Sequence, residues 1–242
     1  MISEFLFSFF ATFLLNLLLF LTVNTVVWRY FEDEIRDLSD WLMLTSVFAA
    51  SEILLVLGVI GFLGQLNLPA LTIGTAICFL LGGIRLRFFG PLFYIGWREA
   101  LSKLRHLFFR SSGQGKEWLL AVFAFLILYG GIELFNAFLQ YPWEYDTLAY
   151  HLPIAVEWMK SQSLWTIFYA VFGGPLGYYP SHHELLTTWF MLPFQNDSLA
   201  NILNFAIAGV SVITLMKFLK ELDIDDFLAS LGAALLLVMP IF

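Results

Sequence analysis

Charged residues are scarce in this chain of 242 residues, which has 12 Lys and Arg against 19 Asp and Glu. Soluble domains are about 25% charged, whereas this chain is 13% charged and 60% hydrophobic, so its composition argues against a soluble globular protein. A net charge of −7 without a basic stripe argues against a nucleic-acid partner. The single cysteine, Cys78, excludes a disulfide framework within the chain.

The chain contains several long runs of apolar residues. About 20 apolar residues are needed to cross roughly 30 Å of hydrocarbon as a helix. Six runs approach that length and are predicted to span a membrane: 5–27, 41–63, 66–84, 118–139, 199–218 and 227–242. The predicted fold class is therefore all-α, a polytopic transmembrane helix bundle of about six spans with one large extracytoplasmic loop.

The positions of Lys and Arg predict the orientation, because cytoplasmic loops carry these residues in excess. The connection from Arg85 to Lys116 holds seven of the twelve and is predicted to be cytoplasmic, with the N-terminus and loop 140–197 outside. Residues 182–194 are apolar, but at about 13 residues they are short for a crossing. We assign them to the outer interface or to a re-entrant segment, which leaves only Lys160 outside.

Two units are expected along the chain. Residues 1–116 are predicted to form a three-span unit, which ends in a basic amphipathic helix at the cytoplasmic interface. Residues 117–242 are predicted to contain one span, the outer loop 140–197 with short interfacial helices, and two further spans.

The outer loop contains two groups of polar and aromatic side chains, within YPWEYDTLAYHLP (141–153) and FGGPLGYYPSHHE (172–184). An aromatic belt with solvated acids, and Asp146 as a helix N-cap, would account for the first group alone. Two such groups beside a short amphipathic helix at 154–161 favour a site for a polar substrate. The candidate site residues are Glu144, Asp146, His151, Tyr179, His182, His183 and Glu184.

The order of these motifs resembles the first outer loop of the polytopic GT-C glycosyltransferases, in the branch of the protein O-mannosyltransferases and the lipid A aminoarabinose transferases. The resemblance covers about residues 117–242 and leaves the first three predicted spans outside. The matching residues are Trp143, Asp146, Tyr150, His151, Leu152, Pro153, Trp158, Tyr179, Pro180, Glu184, Leu185, Leu186 and Trp189.

The resemblance implies a multi-pass enzyme of the cell membrane that transfers a sugar from a polyprenyl-phosphate donor, with inversion, at the extracytoplasmic face. It makes Asp146 the general base, and the remaining candidate residues are expected to bind substrate. Some relatives have a lysine before the proline of the second motif. This chain has none, so His182 and His183 are the candidates to contact phosphate in its place. No cofactor or metal is expected, although the carboxylates of Glu144 and Asp146 are of the kind that can bind a divalent cation.

The chain is short for this family, whose members usually have eleven or more spans and a second outer loop. Further membrane subunits or a C-terminal half are therefore expected partners, in addition to the bilayer and the lipid-linked sugar. The alternative function is a non-catalytic membrane subunit, or a degenerate GT-C relative, within a larger complex. A transporter is less favoured, because Glu52 alone does not supply the paired charges or broken helices of a mid-membrane site.

Overall fold

The computed structural model describes residues 2–36, 38–86, 124, 127–132, 135, 151–165, 181–197 and 199–238. Within these ranges the chain forms helices and turns, and no strand. The all-α prediction is therefore confirmed for this part of the chain. The helices are α1 (Ile2–Phe31), followed by a 3-10 turn (Glu32–Glu34), α2 (Leu38–Phe62), α3 (Leu68–Leu86), α4 (Leu152–Ser161), α5 (His182–Met191), α6 (Ile202–Glu221) and α7 (Asp226–Val238).

Three of the described helices, α1, α2 and α6, are long and apolar enough to cross a membrane. Shorter apolar helices occupy Leu68–Gly82 and Phe227–Leu236, within α3 and α7. The outward positions of these helices carry large apolar side chains, such as Phe7, Leu55 and Leu81. Apolar surface on this scale fits contact with lipid better than contact with water. The prediction of a membrane protein is confirmed at this level.

The predicted fourth span, 118–139, is described only at residues 124, 127–132 and 135, all of which are helical. A Cβ atom at Gly130 would lie 3.6 Å from Cε2 of Phe205, so this stretch runs beside α6. The predicted cytoplasmic amphipathic helix and the predicted unit boundary near residue 116 lie outside the described residues.

One hydrophobic core joins α1, α2 and α3 to the two short helices α4 and α5. Its fully buried members include Leu57 of α2, Leu71 of α3 and Trp189 of α5, and Trp158 of α4 packs with them. The short helices are therefore part of the bundle rather than a loop lying over it. Two indole N–H groups donate within the bundle, from Trp41 to Asn24 Oδ1 (3.0 Å) and from Trp189 to Asn16 Oδ1 (3.4 Å).

The two ends of the bundle can be told apart by what contacts the first and last turns of α2. At the first end, Lys217 of α6 lies 2.7 Å from Asp40 in the first turn of α2, and we call this the lysine end. At the second, Gly61 and Phe62 of α2 contact the chain that follows α4, and we call this the short-helix end. Helices α2 and α6 are therefore antiparallel.

Candidate functional site

Helix α4 begins at the residues of the first sequence motif. Pro153 occupies the first turn, where its missing N–H leaves no helical hydrogen bond unmade. The helix ends at Gln162, whose φ of 54° lies in the left-handed region and redirects the chain. Ile154, Ala155 and Trp158 are its buried residues. The sequence predicted a short interfacial helix at 154–161, and α4 includes that range.

Hydrogen bonds attach the C-terminal end of α4 to α2. The backbone N–H of Leu164 donates to Gly61 O (3.1 Å), and the indole N–H of Trp165 donates to Phe62 O (2.9 Å). The backbone N–H of Leu66 donates back to Gln162 O (2.9 Å). These bonds use carbonyl groups at helix ends, where part of the hydrogen-bonding capacity is left unfilled by the helix. They hold α4 across the short-helix end.

Helix α5 enters the bundle from the same end. Its buried residues are Glu184, Thr187, Thr188, Trp189 and Met191. The Trp189 indole reaches Asn16, which lies roughly 20 Å along α1 from its first residue at 1.5 Å per residue. Helix α5 thus packs against α1, and the placement of 182–194 relative to the membrane stays a prediction.

Polar side chains from three helices meet at the short-helix end, where α4, α5 and α6 begin. Nδ1 of His151 lies 2.7 Å from Oε1 of Glu184, and the rings of His151 and His183 have centroids 4.9 Å apart. Nε2 of His183 lies 3.4 Å from Oδ1 of Asn204 in the first turn of α6. We call His151, His183, Glu184 and Asn204 the His–Glu cluster.

Three buried atoms in and beside the cluster have no hydrogen-bond partner among the described residues: Oε2 of Glu184, Nδ1 of His183 and Oγ1 of Thr187. Glu184 is 5% exposed and Thr187 is 4% exposed, so bulk water does not satisfy these atoms. Buried polar groups in folded proteins are nearly always hydrogen-bonded, and an open one costs stability. A group of open atoms at one place is therefore a candidate ligand site.

The cluster has little positive charge nearby in the described part of the chain. The basic residue of α4 is Lys160, which lies at the opposite end of that helix, is 68% exposed and pairs with Glu157 at 3.7 Å. Helix α5 has no basic residue in its last turn, and the basic residue in the last turn of α6, Lys220, lies near the far end of that 20-residue helix. The described Lys residues of these three helices therefore lie away from the cluster.

The structure thus brings together three of the seven predicted site residues, His151, His183 and Glu184. His182 lies on the same turn of α5 but is exposed to solvent. Glu144, Asp146 and Tyr179 lie outside the described residues. No group of three His, Cys, Asp or Glu among the described residues is arranged to hold a metal ion.

Two members of the site, Asn204 and Thr187, were not predicted. Asn204 stands in the sequence at the start of an apolar run, and Thr187 lies in the segment 182–194, which was assigned to the outer interface or to a re-entrant segment. A polar residue at such a position is itself a signal, because an amide or hydroxyl within apolar surroundings needs a partner. The identity of that partner requires the fold.

No family model, curated protein or solved structure matches this chain.

Proposed function

We propose that the protein is a membrane glycosyltransferase, or the N-terminal part of one, that transfers a sugar from a polyprenyl-phosphate donor at the extracytoplasmic face. The observation that carries the proposal is the His–Glu cluster. It places open, buried polar atoms at one end of an apolar bundle, where a lipid-linked substrate arrives in the plane of the membrane. The motif order that resembles the GT-C enzymes supports the same reading.

The proposed topology has six spans, formed by α1, α2, α3, the run 118–139, α6 and α7. The lysine end faces the cytoplasm, because Arg29 lies in the last turn of α1 and Lys217 and Lys220 near the end of α6. The short-helix end faces outside. The pairing of Lys217 with Asp40 supports this arrangement, since a full crossing by residues 182–194 would put Lys217 at the other end.

Asp146 is the proposed general base. It precedes His151 of the cluster by five residues in the sequence. In the proposed reaction its carboxylate takes the proton of the acceptor hydroxyl as that oxygen bonds to the anomeric carbon. The bond from that carbon to the phosphate oxygen breaks, and the lipid phosphate leaves with the electron pair. The configuration at the anomeric carbon inverts.

The test replaces Asp146 with Asn in the full-length protein and measures sugar transfer from polyprenyl-phosphate donors in membranes. A general base contributes typically about 10²–10⁴-fold, so we expect at least a hundredfold loss of kcat. The matched control is Glu157→Gln, which neutralises a partly exposed acid of α4 and should keep the wild-type rate. Full turnover in Asp146→Asn would remove Asp146 as the base. A wild-type protein that transfers no sugar would favour the non-catalytic subunit.

A further inference from the structure

We propose that Glu184, His183 and Thr187 bind the hydroxyl groups of a neutral sugar ring, and not the phosphate of the lipid carrier. This inference rests on the proposed function and deepens it, because it assigns the sugar rather than the phosphate to the His–Glu cluster. It departs from the expectation that His183 contacts phosphate.

The hydrogen bonds within the cluster determine which groups remain open. The Nδ1–H of His151 donates to Oε1 of Glu184, so Oε2 remains as an acceptor. Nε2 of His183 contacts Oδ1 of Asn204, and in the tautomer that donates this hydrogen bond the open Nδ1 is an acceptor. A ligand that completes these bonds must bring hydrogen-bond donors. Sugar hydroxyls donate, whereas the oxygens of an ionised phosphate only accept.

The third open atom lies on the same face of α5. Thr187 follows Glu184 by three residues and His183 by four, and residues at these spacings are neighbours on a helix surface. Its hydroxyl can donate and accept, as a sugar hydroxyl can. The adjacent Thr188 differs, because its hydroxyl already donates to the backbone oxygen of Glu184 at 2.7 Å. One helix face therefore offers two acceptors and one hydroxyl.

Charge also disfavours phosphate. The N-termini of α4, α5 and α6 carry partial positive charge, but Glu184 lies in the first turn of α5 and offsets it. In the described part of the chain, no Lys or Arg is paired with this carboxylate; its charged-group partner is His151. A phosphate placed at Oε2 would meet a like charge within a site that water does not screen.

A divalent metal is the other ligand that carboxylate and imidazole acceptors would take. The described residues hold no group of three ligands arranged for one, and a threonine hydroxyl is not a preferred zinc ligand. The combination of carboxylate, imidazole and hydroxyl favours a sugar, and metal binding becomes an outcome of the test.

The experiment uses the whole chain in lipid nanodiscs and saturation-transfer NMR with free mannose, glucose, galactose and arabinose. We expect wild type to bind at least one of these sugars, and Glu184→Gln and Thr187→Val each to weaken that binding at least tenfold. Thr188→Val is the matched control and should stay within twofold of wild type. Thr187→Val should unfold at or above the wild-type temperature, because it removes a buried hydroxyl that has no partner. If Glu184→Gln does not fold, sugar binding by Thr187→Val alone tests the proposal.

Inorganic phosphate and Mn²⁺ or Zn²⁺ are titrated in parallel. The proposal is overturned if Glu184→Gln strengthens phosphate binding, or if Glu184→Gln abolishes metal binding. It is also overturned if none of the four sugars binds. Undecaprenyl-phosphate sugars then separate this inference from the proposed function. If sugar binding depends on Thr187 but no lipid donor supports sugar transfer, the proposed glycosyltransferase function is contradicted and the proposed sugar site is supported. If Glu184→Gln and Thr187→Val both transfer sugar with the wild-type KM, the glycosyltransferase function is supported and the sugar site is contradicted.

Discussion

At the residue scale, the contact between His151 and Glu184 joins two segments that are 33 positions apart in sequence. The Glu184 side chain is 7% exposed and that of His151 is 27% exposed, so the contact is largely shielded from water. Removing either partner leaves the other polar group without this hydrogen bond. That loss costs more than the net contribution of the bond itself, because the remaining group stays desolvated.

A double-mutant cycle tests this contact. We expect His151→Gln and Glu184→Gln each to destabilise the protein, with a coupling free energy of about 1–3 kcal/mol, as for hydrogen bonds to charged groups. Denaturant unfolding in detergent measures the four variants. His182→Gln, on the exposed side of the same turn, should change stability by less than about 0.5 kcal/mol. Additive single effects would show that the two side chains do not interact.

The sequence predicted some members of the His–Glu cluster as site residues, but not how they are arranged. His151, His183 and Glu184 were identified because titratable residues are rare in this chain and therefore conspicuous near helix ends. Their mutual contacts were not predicted, since they depend on how α4 packs on α5. Asn204 was missed for the same reason, because its role appears only when α6 begins beside the first turn of α5.

At the element scale, the position of α4 depends on close approach to α2. The backbone N–H of Leu164 reaches Gly61 O, and the Leu164 side chain lies where a Cβ of residue 61 would be. A Cβ there would overlap Leu164 Cγ. Glycine at position 61 thus allows the end of α4 to sit on α2.

Two glycines of α2, one turn apart, provide a matched test. Gly61→Ala should destabilise the protein by about 1–3 kcal/mol through overpacking against Leu164. Gly58→Ala meets nothing within 4 Å and should stabilise it by about 0.5–1 kcal/mol through helix propensity. Thermal unfolding in detergent measures both variants, and Gly61→Ala combined with Leu164→Ala should recover part of the loss. Equal effects of the two alanines would contradict the docking of α4 on α2.

At the scale of the whole molecule, the two ends of the bundle carry different chemistry. The lysine end has Lys217 beside Asp40, and both side chains are less than a fifth exposed. The short-helix end has the His–Glu cluster and the aromatic pair of Phe62 and Trp165, whose ring centroids are 5.2 Å apart. Such an asymmetry suits a membrane protein whose two faces meet different compartments.

Labelling of single cysteines tests the proposed orientation. In a Cys78→Ser background, Gln162→Cys should react with an impermeant maleimide in intact cells, because Gln162 is exposed at the short-helix end. Glu221→Cys, exposed near the lysine end, should react only after the membrane is permeabilised. Cys-free protein sets the background. The opposite pattern would invert the topology and place the His–Glu cluster in the cytoplasm.

The amino-acid sequence was enough to predict that the described part of the chain is helical, and to give approximate bounds for its long apolar helices. The predicted run 41–63 became Leu38–Phe62 and 199–218 became Ile202–Glu221, because the length and apolarity of a helical run are properties of consecutive residues. The contact between Trp189 of α5 and Asn16, 173 positions away, and the contact between His151 and Glu184 became visible only in the folded chain. Those contacts come from packing between helices, which complementary shapes and polar partners determine across long stretches of chain.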